Sequence, residues 1–166
     1  MPTAPQLQEI VIKQADVSFN LSGIRVLKTD TCPSLSGKSK LTYEIGADPG
    51  SVLCVRLSKN TGTGAFSSDW VPLDRVHHLL TKNERITSFT LSQLFKGRSA
   101  NSPGFLLAVL KQEGLVGPLE GNHRCYELLD AKAFFAEIQG LLGSPAVKPK
   151  TAAKTRVAKA ATAKAK

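Results

Sequence analysis

The chain has 166 residues, of which 42% are hydrophobic and 21% are charged. This size fits one domain with a small extra module, and the apolar fraction is that of a folded protein. No run approaches the ~18 apolar residues of a membrane span, and residues 1–6 lack the basic start and the apolar stretch of a signal peptide. Three cysteines in such a chain do not indicate a disulfide framework. We expect an intracellular protein, cytoplasmic or nucleoid-associated, without a membrane partner.

The net charge of +9 is concentrated at one end of the chain. Residues 144–166 hold seven of the 22 Lys and Arg residues and none of the 13 Asp and Glu residues, so residues 1–143 carry a net charge of only +2. Alanine and threonine separate the cationic residues, and Pro145 and Pro149 lie near the start of this tail. Because the tail lacks apolar side chains that pack, we expect it to be disordered when free.

Residues 1–71 are rich in β-type patterns. Alternation of apolar and polar residues predicts strands at 17–21, 41–45 and 53–57, and residues 24–27 predict another. Residues 48–50, Asp-Pro-Gly, are typical of a hairpin turn between two of these strands. A short helix is expected at 6–14. This part of the chain is therefore predicted to be a small antiparallel β-rich module.

Residues 72–143 change to helical periodicity. Pro72 suits a first helical turn, and the apolar spacing of Leu73, Val76 and Leu80 predicts a helix with His77 on the same face. An extended piece follows at 85–89. Thr90 is then predicted to be the N-cap of a second helix, with Gln93 completing a capping box and Gly97 ending the helix.

Ser102 and Pro103 predict the start of a third helix, as N-cap and first residue, after a short polar turn. Its apolar stripe would contain Phe105, Leu106, Val109 and Leu110, with Leu107 pointing away from the core. Stretches 115–119 and 124–128 predict a hairpin with its tip at 120–123. Asp130 would cap a final helix.

This order of elements resembles the winged-helix family of helix-turn-helix domains, over residues 72–143. The expected fold class is α+β: a β-rich module at 1–71, a winged-helix-like domain at 72–143 and a disordered basic tail at 144–166. The tail is similar in composition to the Lys/Ala-rich tails of linker-histone-like DNA-binding proteins. Winged helices also serve as protein-interaction modules, so the fold alone leaves the function open.

The resemblance and the tail together predict a non-enzymatic protein that binds double-stranded DNA, a transcription regulator or an accessory, nucleoid-type protein. No cofactor or metal is expected. The folded domain would dock through polar side chains of the turn, the third helix and the hairpin tip, and the tail would neutralise phosphates. The expected contacts in the folded part are Arg98, Ser99, Asn101, Ser102, Lys111, Gln112, Asn122, His123 and Arg124. In the tail they are Lys148, Lys150, Lys154, Arg156, Lys159, Lys164 and Lys166.

Two alternatives remain open. The chain could be a protein-interaction adaptor that binds a partner through an exposed Leu107/Ala108 surface, while its tail only tethers it to nucleic acid. If instead the chain binds DNA, the β-rich module would serve for dimerisation, for partner binding or for additional nucleic-acid contact. An enzyme is the weaker alternative: residues 32–39 end in the Gly-Lys-Ser of a phosphate-binding loop, but Cys32 stands where that loop needs glycine, and Pro33 removes an amide donor. RNA binding is disfavoured because no aromatic platform motif is present.

Other reactive residues have simpler interpretations. Cys32, Cys54 and Cys125 are too far apart in sequence to form a local zinc half-site, so Cys54 and Cys125 are interpreted as packing residues. His77 is expected to be a partly buried structural residue. His123, at the hairpin tip, is expected to be exposed.

Overall fold

The computed structural model describes residues 21–143. The helix predicted at 6–14, the tail at 144–166 and all but the last residue of the strand predicted at 17–21 lie outside the described residues. The described part is an α+β structure in which a four-stranded antiparallel sheet is followed by helices and a two-stranded sheet.

The four-stranded sheet contains β1 (Arg25–Pro33), β2 (Lys40–Ala47), β3 (Leu53–Asn60) and β4 (Val71–Pro72), paired in that order. The strands predicted at 24–27, 41–45 and 53–57 are confirmed. In β2 the buried Leu41, Tyr43 and Ile45 alternate with less buried residues, as expected for a sheet with one face on the core. The predicted turn is also present, and the Val52 amide donates to Asp48 Oδ1 at 2.9 Å there.

The helical part begins with α1 (Leu73–Thr81), which buries Leu73, Val76 and Leu80 as predicted. A short α2 (Ser88–Leu91) continues into a 3₁₀ helix (Ser92–Phe95). Gly97 follows with φ +72°, the left-handed conformation expected of a glycine after a helix.

The predicted N-cap of α2 was wrong by three residues. Thr87 is the N-cap, and Thr90 is the N3 residue whose Oγ1 accepts a hydrogen bond from the Thr87 amide at 3.1 Å. The cause is tertiary: Ile86 exchanges two backbone hydrogen bonds of 2.8 Å with Tyr126. This bridge holds the chain extended up to Thr87, so the helix starts directly after it.

The next helix, α3 (Ser102–Gln112), is deeply buried and has Asn101 rather than Ser102 as its N-cap. The expectation that Leu107 points away from the core was wrong, because Leu107 is only 1% exposed and Ala108 only 4%. The helix packs against β1 and β3 of the four-stranded sheet, and also against α2, the 3₁₀ helix and the strand that follows α3. Both residues are therefore part of the core, and neither offers the exposed surface that the adaptor alternative requires.

The chain then forms β5 (Val116–Leu119) and β6 (Asn122–Leu128), the predicted hairpin, and ends its described part in α4 (Lys132–Gly143). We call β5, β6 and the bridging Ile86 the wing. Asp130 Oδ1 accepts a hydrogen bond from the Lys132 amide at 3.0 Å, so it satisfies a donor in the first turn of α4. Phe134 and Ile138 are the buried residues of this helix.

The predicted domain boundary at 71/72 falls within β4, which pairs with β3. One cluster of buried side chains joins Leu41, Tyr43 and Ile45 of the sheet to residues of all four helices and the wing. The sheet and the helical part are thus packed on each other, through α1, α3 and α4.

Candidate functional site

The wing ends in a polar, exposed tip. Asn122, His123 and Arg124 are exposed where β6 leaves the two-residue turn, and Gly121 has φ +77°, as this tight turn requires. The Arg124 amide donates to Asn122 Oδ1 at 3.1 Å, which orders the start of the strand. Among the described residues, no carboxylate forms an ion pair with the Arg124 guanidinium.

A second cation lies beside the wing. The Lys111 ammonium is 5.9 Å from the ring centroid of Tyr126. Arg124 lies two residues before Tyr126 on β6, where the register with β5 shifts. The fold brings Lys111 beside the strand that carries Arg124, 13 residues away in sequence, and Gln112 is exposed next to Lys111.

The side chains of the predicted turn have another role. The Ser99 hydroxyl and the Asn101 amide group both donate to the Ala65 carbonyl, at 2.5 and 3.1 Å. Ser102 is fully buried, and its hydroxyl accepts a hydrogen bond from the Ser67 amide at 2.7 Å. The prediction that Ser102 contacts DNA was therefore wrong, since it has no exposed surface. Ser99 and Asn101 hold the connection between β3 and β4 against the start of α3.

Arg98 is the cation of the turn that stays at the surface. Its Nε is 3.3 Å from Asp69 Oδ2, with both side chains more than half exposed. An ion pair this exposed contributes about 0–1 kcal/mol to stability. A phosphate could replace Asp69 as the partner of Arg98 at little cost.

The Gly-Lys-Ser sequence lies in the turn between β1 and β2, beside a shallow depression of about 410 Å³. The amides that would cradle a phosphate have partners within the fold. The Ser39 amide donates to Ser34 Oγ at 3.3 Å, and the Lys40 amide donates to Thr61 Oγ1 at 2.8 Å. The backbone amides of this basic turn are already hydrogen-bonded within the fold. This favours its interpretation as a simple connection between two strands.

A partly buried polar cluster has no signal in the sequence. Glu113, just after α3, accepts hydrogen bonds from the Tyr43 hydroxyl and from Lys28, whose Nζ is 3.0 Å from Glu113 and 3.0 Å from Glu137. Burial of Lys28 acts to lower its pKa, but the hydrogen bonds and charges of the two glutamates outweigh it and raise the pKa. The partners are up to 109 residues apart in sequence, so no local pattern indicates the cluster. It joins the sheet to α3 and α4.

Burial also makes the Tyr43 phenol and the thiols of Cys32 and Cys54 poor acids. Desolvation, followed by the hydrogen bond to Glu113, raises the pKa of Tyr43 above its usual range. Desolvation raises the pKa of Cys32 to about 11 and that of Cys54 to about 12. Neither thiol ionises near neutral pH, so neither is activated as a nucleophile.

His77 is half-buried on α1, as expected, and His78 lies beside it. Burial, and then the neighbouring His78, lower the pKa of His77. Both histidines line a groove of about 900 Å³ between α1, the 3₁₀ helix and Trp70. No local sequence pattern indicates this groove, because its walls come from elements that meet only in the fold.

Within residues 21–143, no helix has the length and apolar content required to cross a membrane. The same part of the chain contains no group of three or more His, Cys, Asp or Glu side chains positioned to hold a metal ion. No protein-family model, curated protein or solved structure matches the chain.

Proposed function

We propose that this protein binds double-stranded DNA without catalysing a reaction on it, through the wing and the basic tail. Residues 72–143 would act as a winged-helix-like unit in which the wing, rather than α3, meets the duplex. The observation that carries the proposal is the position of Lys111 beside the wing strand that bears Arg124 and the exposed polar tip. The tail, with seven cations and no acid, would supply the remaining phosphate contacts.

Because α3 is buried, we propose that the wing, rather than this helix, contacts the duplex. A helix that reads the major groove needs a row of polar side chains facing the bases. Here Leu106, Leu107 and Leu110 are at most 2% exposed, and Ser102 is fully buried. Contacts from a wing tip and a cationic tail go mainly to phosphates, which position a protein but specify little sequence. We therefore propose an accessory or nucleoid-type role with weak sequence preference.

The experiment is a salt series of DNA binding, followed by fluorescence anisotropy with a labelled duplex. The wild-type chain is compared with a full-length variant in which all seven tail cations are glutamine. If all seven contact duplex phosphates, the slope of log K against log salt becomes less steep by about 6 in the variant. Residual duplex binding by this variant measures the contribution of the folded part.

The contribution of the wing is tested in the variant with the neutral tail. Arg124→Gln should weaken the residual binding by a similar factor on unrelated duplex sequences, and it should reduce the salt slope by about 1. The matched control is Lys38→Gln, which removes the same charge from the turn between β1 and β2. Equal binding by the Arg124→Gln and Lys38→Gln variants would contradict wing docking.

The adaptor alternative requires an exposed Leu107/Ala108 surface, and both residues are buried. It predicts that the neutral-tail variant binds no duplex at any salt concentration. That result would mean that the tail makes all of the contacts with nucleic acid.

A further inference from the structure

The groove beside α1 has a volume of about 900 Å³ and is open to solvent along one side. Its lining is mainly apolar and also contains Asp74, Arg75, His77 and His78. The residues that line the groove include Trp70, Arg75, His77, His78, Leu79 and Leu94. Trp70 is half-buried, and the Arg56 guanidinium lies 4.6 Å from its ring centroid. Apolar surface of this kind is stabilised when a partner removes it from water.

Near the start of the described chain, Ile24 lies close to Trp70, one of the residues that line this groove. Gly46 of β2 has no side chain, and a Cβ placed there would be 2.8 Å from Ile24 Cγ2 and 3.1 Å from Trp70 Cη2. Ile24 and Trp70 are therefore neighbours over Gly46, and Gly23, the residue before Ile24, lies beside Pro49 of the turn between β2 and β3.

Chain length allows the preceding residues to reach the whole groove. The ten residues from Gln14 to Ile24 span at most about 33–36 Å when extended. A nine-residue helix such as α1 is about 14 Å long. Residues 6–14 would form a helix of the same length, as their sequence predicts.

The chemistry of this segment matches an apolar groove. Leu7, Ile10 and Val11 are spaced i, i+3 and i+4, which places them on one face of a helix. A helix with such a face requires a partner surface to be stable, since nine residues are too few for a helix to persist alone in water.

We propose that residues 6–14 of the same chain dock in the groove as a helix, with Leu7, Ile10 and Val11 against Trp70, Leu79 and Leu94. The helix-in-groove mode needs only an apolar face and a matching channel. Because a linker of about ten residues joins the segment to Ile24, which lies near Trp70, its effective concentration at the groove is high, and docking is intramolecular. Docking of this helix does not depend on the proposed DNA binding.

Trp70 is the only tryptophan in the chain and reports directly on the groove. The test measures its fluorescence emission and its quenching by acrylamide in the full-length protein. Ile10→Asp should shift the emission to longer wavelength and increase quenching, because an undocked segment leaves the ring in water. Gln8→Asp is the matched control: it adds the same charge to the segment outside the apolar face and should leave both signals unchanged.

A second variant tests the groove itself. Leu94→Asp should give the same red shift as Ile10→Asp, and the double variant should show no further change, because both substitutions break one contact surface. Thermal melts of each variant serve as the control that the chain remains folded. A synthetic peptide of residues 1–16, added to the Ile10→Asp protein, should restore protection of Trp70.

Identical quenching of Trp70 in the wild type and in Ile10→Asp would overturn the proposal. So would protection that disappears on dilution of the wild-type protein, because that result assigns the groove to a second copy of the chain. Protection that is independent of concentration and lost in Ile10→Asp supports intramolecular docking.

Discussion

Replacement of Leu107 by alanine measures whether α3 is a core helix or a surface helix. Leu107 is 1% exposed, so the substitution removes three buried carbon atoms. Their transfer from water contributes about 2.4 kcal/mol at ~0.8 kcal/mol each. The cavity adds to this cost, and buried Leu→Ala substitutions cost about 2–5 kcal/mol in all. We expect a loss of about 3–4 kcal/mol in the free energy of unfolding.

For a folded part of this size, 1 kcal/mol corresponds to about 4 °C in Tm, so Leu107→Ala should lower Tm by about 12–16 °C. Differential scanning calorimetry and urea unfolding provide the two measurements. The control is Phe89→Ala, a larger truncation at a residue that is 83% exposed. An exposed substitution of this kind changes stability by about 0.5 kcal/mol or less. If the Tm values of the two variants differ by less than about 2 °C, Leu107 faces solvent, and the description of α3 as a core helix is wrong.

The ionisable groups give two more expected outcomes. Because the folded pKa of His77 lies below the ordinary value of 6.5, the unfolded chain binds more protons as pH falls through that value, and stability is lost. His77→Gln should reduce the fall in Tm between about pH 7.5 and pH 5.5, whereas the exposed control His123→Gln should retain it. Reaction of the native protein with a disulfide reagent such as DTNB should modify the half-buried Cys125 rapidly, and the buried Cys32 and Cys54 only in denaturant. Rapid reaction of all three thiols in the native protein would refute the burial described for the sheet.

The β-strands and the order of the helices were predictable from the sequence because they depend on local patterns. Alternation with a period of two marks β2 and β3, and the spacing of Leu73, Val76 and Leu80 marks α1. The exposed wing tip was also predictable, since it consists of polar residues between two apolar strands. These features need no knowledge of what packs against them.

Errors arose where a distant contact overrides a local preference. Thr90 has a good N-cap environment in the sequence, yet the hydrogen bonds between Ile86 and Tyr126 start the helix three residues earlier. Periodicity assigned Leu107 to the outer face of α3 because a helix in a surface position has only one buried side. In the fold, α3 is packed on more than one side, and no pattern within the helix indicates this.

The sequence by itself determined the α+β class, the predicted position of most elements and the separation of positive charge into a tail. Only the tertiary structure decided which polar residues are available to a ligand. It buries Ser102, directs Ser99 and Asn101 to the Ala65 carbonyl, and brings Lys111 beside the wing. The physical reason is that secondary structure follows from side-chain pattern over a few residues, whereas burial and hydrogen-bond partners depend on chain segments that meet only after folding.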